Sequence, residues 1–115
     1  MSSRPPLAPL LLDHRDAVAD LCRAHGVDRL EVFGSAADGR FDPGRSDIDL
    51  IVSFAPGAPG SRAERYFALA DALERLLGRH VDLLTDQPIR NPYLRRAVDA
   101  TRRDLCVRAP AEASG

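Results

Sequence analysis

A chain of 115 residues is long enough to bury one hydrophobic core and too short for a separate substrate domain. Sixteen basic residues against 17 acidic ones leave a formal net charge of -1, which excludes a global field able to wrap duplex nucleic acid or coat an anionic membrane. All sixteen bases are arginine, a whole-chain bias that marks no individual site.

Residues 1–6 are polar and proline-rich and residues 109–115 form a small-residue tail, so flexible termini are expected around one folded domain at 7–108. The apolar patch Leu7 to Leu12 is too short for a signal peptide or a membrane span. A cytoplasmic, membrane-free protein is the expectation. Cys22 and Cys106 lie far apart with no Cys-x-x-Cys or Cys-His clustering, which argues against zinc and against a disulfide scaffold. They read as buried thiols in a reducing compartment.

Leu7, Leu10, Leu11, Val18, Leu21 and Cys22 recur at helical spacing and predict one amphipathic helix ended by Gly26. Both His14 and His25 are expected as exposed residues of it. Residues 29–33 form a short β-type run with Leu30 and Val32 on one side, broken by Gly34-Ser35. Ala36, Ala37 and Asp38 allow one helical turn before Gly39, and Phe41-Asp42-Pro43-Gly44 is turn chemistry.

From Asp47 to Phe54 the residues Ile48, Leu50, Val52 and Phe54 alternate, the period of a strand with a core-facing side. Asp47, Asp49, Ile51 and Ser53 share the other. Ser61-Arg62-Ala63-Glu64 has the form of a capping box, Tyr66, Leu69, Ala70, Leu73, Leu76 and Leu77 supply the stripe of the helix that follows, and Gly78 suits its end. Val81 to Thr85 is a third strand. Asn91-Pro92 opens a last helix to about Arg103, with Leu94, Ala97, Val98 and Thr101 inward, and residues 104–108 allow a fourth strand. The order is that of an α/β (α+β) fold, a small sheet packed by about four helices.

Asp47 and Asp49 are two apart on a strand, which sets them roughly ~7 Å apart on one face, where two carboxylates can serve one ion. Like charges held this close raise a pKa unless a cation neutralises them, and a hard divalent ion prefers such oxygens. Gly34 lets backbone turn sharply and approach a ligand, and Ser35 opens a helical turn whose free amides favour an anion. Asp82, a lone acid in the apolar run Val81-Asp82-Leu83-Leu84, is costly unless paired, liganded or solvent-facing. It joins the other two acids if the third strand neighbours the second.

Gly34-Ser35, an intervening loop, Ser46-Asp47-Ile48-Asp49-Leu50 and a later Val81-Asp82-Leu83 resemble the minimal nucleotidyltransferases of the DNA polymerase β superfamily, most closely the MntA-like antitoxins of HEPN/MNT toxin-antitoxin systems. The resemblance implies that fold, and transfer of a nucleoside monophosphate, AMP from ATP, to an acceptor hydroxyl such as a tyrosine of a cognate HEPN toxin. It implies that Asp47, Asp49 and Asp82 are catalytic and hold two Mg²⁺ ions, with Gly34 and Ser35 on the outer phosphates. The loop from Ala36 to Ser46 is one residue longer than is usual in the family, and Asp38 stands where a basic residue is common. Arg40 or Arg45 is then expected to take over phosphate binding. A non-catalytic nucleotide- or partner-binding antitoxin of the same fold is the alternative, and a homo-oligomer is compatible with so small a chain. Arg75 and His80 match the Arg-x4-His pattern of HEPN ribonucleases, but Gly78 separates them.

Overall fold

Period-two alternation in the second strand decides the architecture, because it gives the sheet one wholly apolar face. In a computed structural model that describes residues 7–42, 44, 47–57, 60–85 and 89–107, Ile48, Leu50, Val52 and Phe54 of β2 (Ile48–Phe54) are all buried on that face. The sheet runs β3-β2-β1-β4, with β1 at Val27–Phe33, β3 at Val81–Thr85 and β4 at Arg103–Val107. β1 is antiparallel to both β2 and β4, whereas β2 and β3 are parallel. Parallel neighbours need a crossover, supplied here by the helix α4, Arg62–Leu77.

The N-terminal helix predicted as one is two, α1 (Pro9–Asp13) and α2 (Arg15–Ala24). His14 breaks it with φ -110 and ψ 16, and its ring Nδ1 donates 2.8 Å to the carbonyl of Leu10. His25 ends α2 in the same way, 2.9 Å from the carbonyl of Leu21. Both histidines are therefore half-buried, each bonded to a carbonyl one turn back at a helix end, rather than exposed helix residues. α3 is the single turn Ser35–Asp38.

The predicted caps of the later helices are present. Ser61 Oγ accepts the amide of Glu64 at 3.0 Å while Glu64 reaches back to the amide of Ser61, and Gly78 closes α4 with φ 68. Asn91 Oδ1 accepts the amides of Tyr93 and Leu94 at the start of α5 (Pro92–Thr101). α5 stops before Arg103 because Arg103 already pairs with Val32 as the first residue of β4.

α2 and α4 pack on the apolar face of the sheet, where Leu11, Val18, Cys22, Leu69, Leu73 and Leu77 meet Leu30, Val32, Leu50 and Val52. α5 lies on the other face over a smaller cluster of Phe33, Ile51 and Val98. That patch is narrow, so of the residues predicted inward on α5 only Val98 is buried, while Leu94 and Ala97 are exposed. In β4 the register slips: Cys106 faces Leu30 and Asp104 faces Glu31. Leu105 is the extra residue of a bulge, which turns both Leu105 and Cys106 toward the main core. Cys106 there hydrogen-bonds the Cys22 thiol, whose pKa is driven well above the usual range by burial first and by Cys106 second. Both cysteines are free.

Glu31 is the buried charged residue among those described. Arg102, just past α5, holds it through two bonds, Nε to Oε2 at 2.9 Å and Nη2 to Oε1 at 2.7 Å. These hydrogen bonds keep the Glu31 carboxyl below its ordinary 4.5 against the opposing effect of burial. The folded pKa is lowered, so this stabilisation is complete above the unfolded value and is lost as pH falls through the folded one. Urea unfolding should show Arg102→Ala less stable by about 2–3 kcal/mol at pH 7, with the gap narrowing in acid. Asp20→Ala, which breaks only the exposed pair with Arg23, should change stability by less than about 0.5 kcal/mol.

Candidate active site

Three strand ends meet at one corner of the sheet: the C-terminus of β1 and the starts of β2 and β3. The register places Phe33 opposite Asp49 across β1 and β2, and Asp49 beside Asp82 across β2 and β3. The sequence-based condition for Asp82 to join the other acids, that β3 neighbour β2, is met. Asp49 and Asp82 lie on the α5 side of the sheet, Asp49 half-buried and Asp82 exposed, with Asp47 exposed just ahead of β2.

The start of β3 is fixed by its own bonds. Glu74 of α4 accepts the amide of Val81 at 3.0 Å and pairs with His80 Nδ1 at 3.0 Å. The His80 carbonyl accepts the amide of Ile48 at 3.3 Å, tying β2 to β3 directly beside the acids. His80 belongs to this framework, and Gly78 ends the helix between Arg75 and His80.

The Asp49 carboxyl is pushed up to about 6, by burial first and then by the charges of Asp82 and Asp47, with His80 opposing. Among the described residues no group of three or more His, Cys, Asp or Glu side chains is gathered tightly enough to hold a metal ion. The backbone nonetheless aligns two hard oxygen donors and sets a third two residues away. A carboxylate raised by burial and by neighbouring carboxylates, as Asp49 is, suits a divalent cation, which removes the repulsion.

Gly34 turns the chain from β1 into α3 with φ 74 and ψ -150. A Cβ added there would stand 2.7 Å from Asp49 Oδ2, so the backbone calls for glycine and any larger residue would push the Asp49 carboxylate aside. Ser35 is half-exposed as the first residue of α3. Arg40, a predicted phosphate ligand, is instead bound to Asp38, with Nε 2.8 Å and Nη2 2.6 Å from Oδ2. This hydrogen bonding lowers the Asp38 pKa. Arg45, the other predicted ligand, lies outside the described residues.

Some positioning residues escape a sequence reading. The Gly34 amide donates to Thr101 Oγ1 at 2.8 Å, and Arg103 Nη1 donates to the Ala37 carbonyl at 3.2 Å. Pairing across more than sixty positions leaves no local trace. Glu31 did carry a signal, the same one as Asp82: a lone acid in an apolar run.

This sheet, with its order and its helices, has the nucleotidyltransferase fold. Residues 14–105 match the family described as nucleotidyltransferase domain, and the chain belongs to that family. It is 32% identical over 99 residues, 86% of this chain and 94% of the other, to "Putative protein adenylyltransferase MJ1379" of Methanocaldococcus jannaschii. A second protein of that organism, "Putative protein adenylyltransferase MJ0128", is 34% identical over 73 residues, 64% of this chain and 70% of its own. Among solved structures, one described as a "putative minimal nucleotidyltransferase" superposes with a TM-score of 0.63 at 38% identity, covering 81% of this chain and 90% of the other. The fold is shared as well with a chain of a toxin-antitoxin complex with AMP-PNP, at 22% identity and a TM-score of 0.60, covering 86% of this chain and 76% of the other.

Two measurements test the corner. Gly34→Ala should cost about 1–3 kcal/mol in urea unfolding, and adding Asp49→Ala should recover part of that loss, because the clash disappears while the backbone strain remains. The folded pKa of Asp49 is raised above its ordinary 3.8, so its contribution is complete below the unfolded value and is lost as pH rises through about 6. In EDTA, Asp49→Asn should melt higher than the parent at pH 7.5 and match it near pH 3.

Proposed function

We propose that this chain transfers a nucleoside monophosphate, AMP from ATP, to a hydroxyl on another protein, and that it serves as the antitoxin of a HEPN-type toxin by modifying a tyrosine of that partner. The observation that carries the reading is the register that sets Asp49 beside Asp82 and directly against Gly34. The adenylyltransferase names of its relatives support protein modification. Sharing its fold with a chain of a complex described as a tri-AMPylated HEPN toxin of Shewanella oneidensis with MNT antitoxin motivates the partner, and the tyrosine is what the resemblance of the sequence motifs implies.

Asp47, Asp49 and Asp82 would hold the two Mg²⁺ ions expected of such a site. When bound, Mg²⁺ neutralises the triphosphate and stabilises the attacking and leaving oxygens of an in-line displacement. Asp82 is the exposed member of the in-register pair, which supports giving it the proton of the acceptor hydroxyl. Gly34 and Ser35 would seat the outer phosphates where backbone approaches without a Cβ in the way.

Arg40 would assist only by leaving Asp38. Its side chain is 77% exposed, and a surface ion pair of this kind holds its partners weakly, so a triphosphate can compete for the guanidinium. Arg45 shares this proposed role on the strength of its position in the sequence.

Incubation with labelled ATP, Mg²⁺ and the HEPN-type partner should label the partner on tyrosine. Asp47→Ala with Asp49→Ala should abolish the label, and Asp82→Asn alone should reduce the rate at least about a hundredfold. Labelling that survives the double substitution would overturn the catalytic reading. The Asp38–Arg40 pair favours a second reading, a module that neutralises its partner by contact alone. Tight partner binding in calorimetry, without heat from MgATP, would select it.

A further inference from the structure

α3 is too short to hold its own place. Of its single turn, only the amides of Ala37 and Asp38 bond within it, both to the Gly34 carbonyl. Everything else comes from outside: the Ala36 carbonyl accepts the amide of Ala8 at 2.9 Å, the Ala37 carbonyl accepts Arg103 Nη1, and the Gly34 amide is taken by Thr101 Oγ1. The first two grip carbonyls at the far end of the turn. Thr101 acts at Gly34 itself, beside Asp49.

Thr101 is built for that task. Its hydroxyl hydrogen is spent on the Ala97 carbonyl at 2.8 Å, so its oxygen presents a lone pair in a fixed direction to the Gly34 amide. Ala97 and Thr101 are one turn apart on α5, and α5 is fastened to β1 by Val98 in its cluster and by the Arg102 bond to Glu31. A rigid path therefore runs from the buried ion pair to the backbone of the glycine turn. Freeing the Gly34 amide would let the turn rotate about a residue with φ 74, on the side where an added Cβ would meet Asp49 Oδ2.

We propose that Thr101 is a positioning residue that sets the Gly34–Ser35 turn against Asp49 for phosphate binding, an inference that rests on the nucleotidyltransferase reading above. A group that holds the phosphate seat acts on substrate in the ground and transition states alike, so its loss falls on KM more than on kcat. Thr101→Val removes the acceptor at nearly constant volume, and Thr101→Ser keeps it.

The test combines hydrogen exchange of the Gly34 amide by NMR, MgATP affinity by calorimetry, and KM and kcat for transfer to the HEPN-type partner. Thr101→Val should speed Gly34 exchange and raise both Kd and KM about tenfold, with kcat within about threefold. Thr101→Ser should restore all of them to within about twofold. Val18→Ala, which opens the main core on the opposite face of the sheet, should lower the melting temperature and leave KM unchanged. Thr101→Val with parental exchange and KM, or Thr101→Ser as impaired as Thr101→Val, overturns the inference alone. A parent chain that neither binds MgATP nor transfers from it overturns the nucleotidyltransferase reading and this inference together.

Discussion

Gly34 and Asp49 stand so close that a side-chain carbon at Gly34 would displace the Asp49 carboxylate, and the corner of the sheet is organised around this approach. It follows from the antiparallel register of β1 and β2, which sets Phe33 opposite Asp49 and leaves the chain to turn immediately afterward. A slip of one residue would exchange the two faces of β2, sending Asp49 into the main core and Leu50 outward. The apolar alternation of β2 thus protects the site: Ile48, Leu50 and Val52 are wholly buried, and their burial holds the acids on the opposite face.

Glu31 and Asp49, like Asp82, interrupt apolar strands on that face, and the structure treats the first two differently. Glu31 receives a bidentate guanidinium and its carboxyl is held low. Asp49 receives no such partner among the described residues, is crowded by two further carboxylates, and its carboxyl is driven up. The first arrangement fastens α5 and β4 to the sheet. The second leaves electrostatic repulsion in a half-buried corner, the condition expected where a cation or a phosphate-bound ion is to be received.

Much of the architecture was legible because it rests on local chemistry. The capping box at Ser61, the Asn91-Pro92 start of α5 and the alternation of β2 each involve residues a few positions apart, and each is present. The departures have two causes, side-chain bonds within a turn and a narrow packing surface. His14 reads as an exposed helical residue but caps α1, and α5 reads as a broad amphipathic stripe but meets only the narrow Phe33–Ile51 patch. Arg40 was expected on phosphate, yet Asp38 two residues earlier takes its guanidinium. Arg45 lies outside the described residues.

What the sequence by itself determined was the inventory: the elements, the glycine turn, three acids with the spacing and order of a nucleotidyltransferase, and a chain of one-domain size. Periodicity, caps and turn residues act over a few positions, so they can be read along the chain. The tertiary structure decided which parts meet. It set β3 beside β2 and so Asp82 beside Asp49, brought Cys106 to Cys22 through a bulge, and joined Thr101, Arg102 and Arg103 to a turn and a strand some seventy residues earlier. Those pairings are fixed by shared burial in one core and by hydrogen bonds to a turn too short to satisfy itself, and neither leaves a pattern in the order of residues.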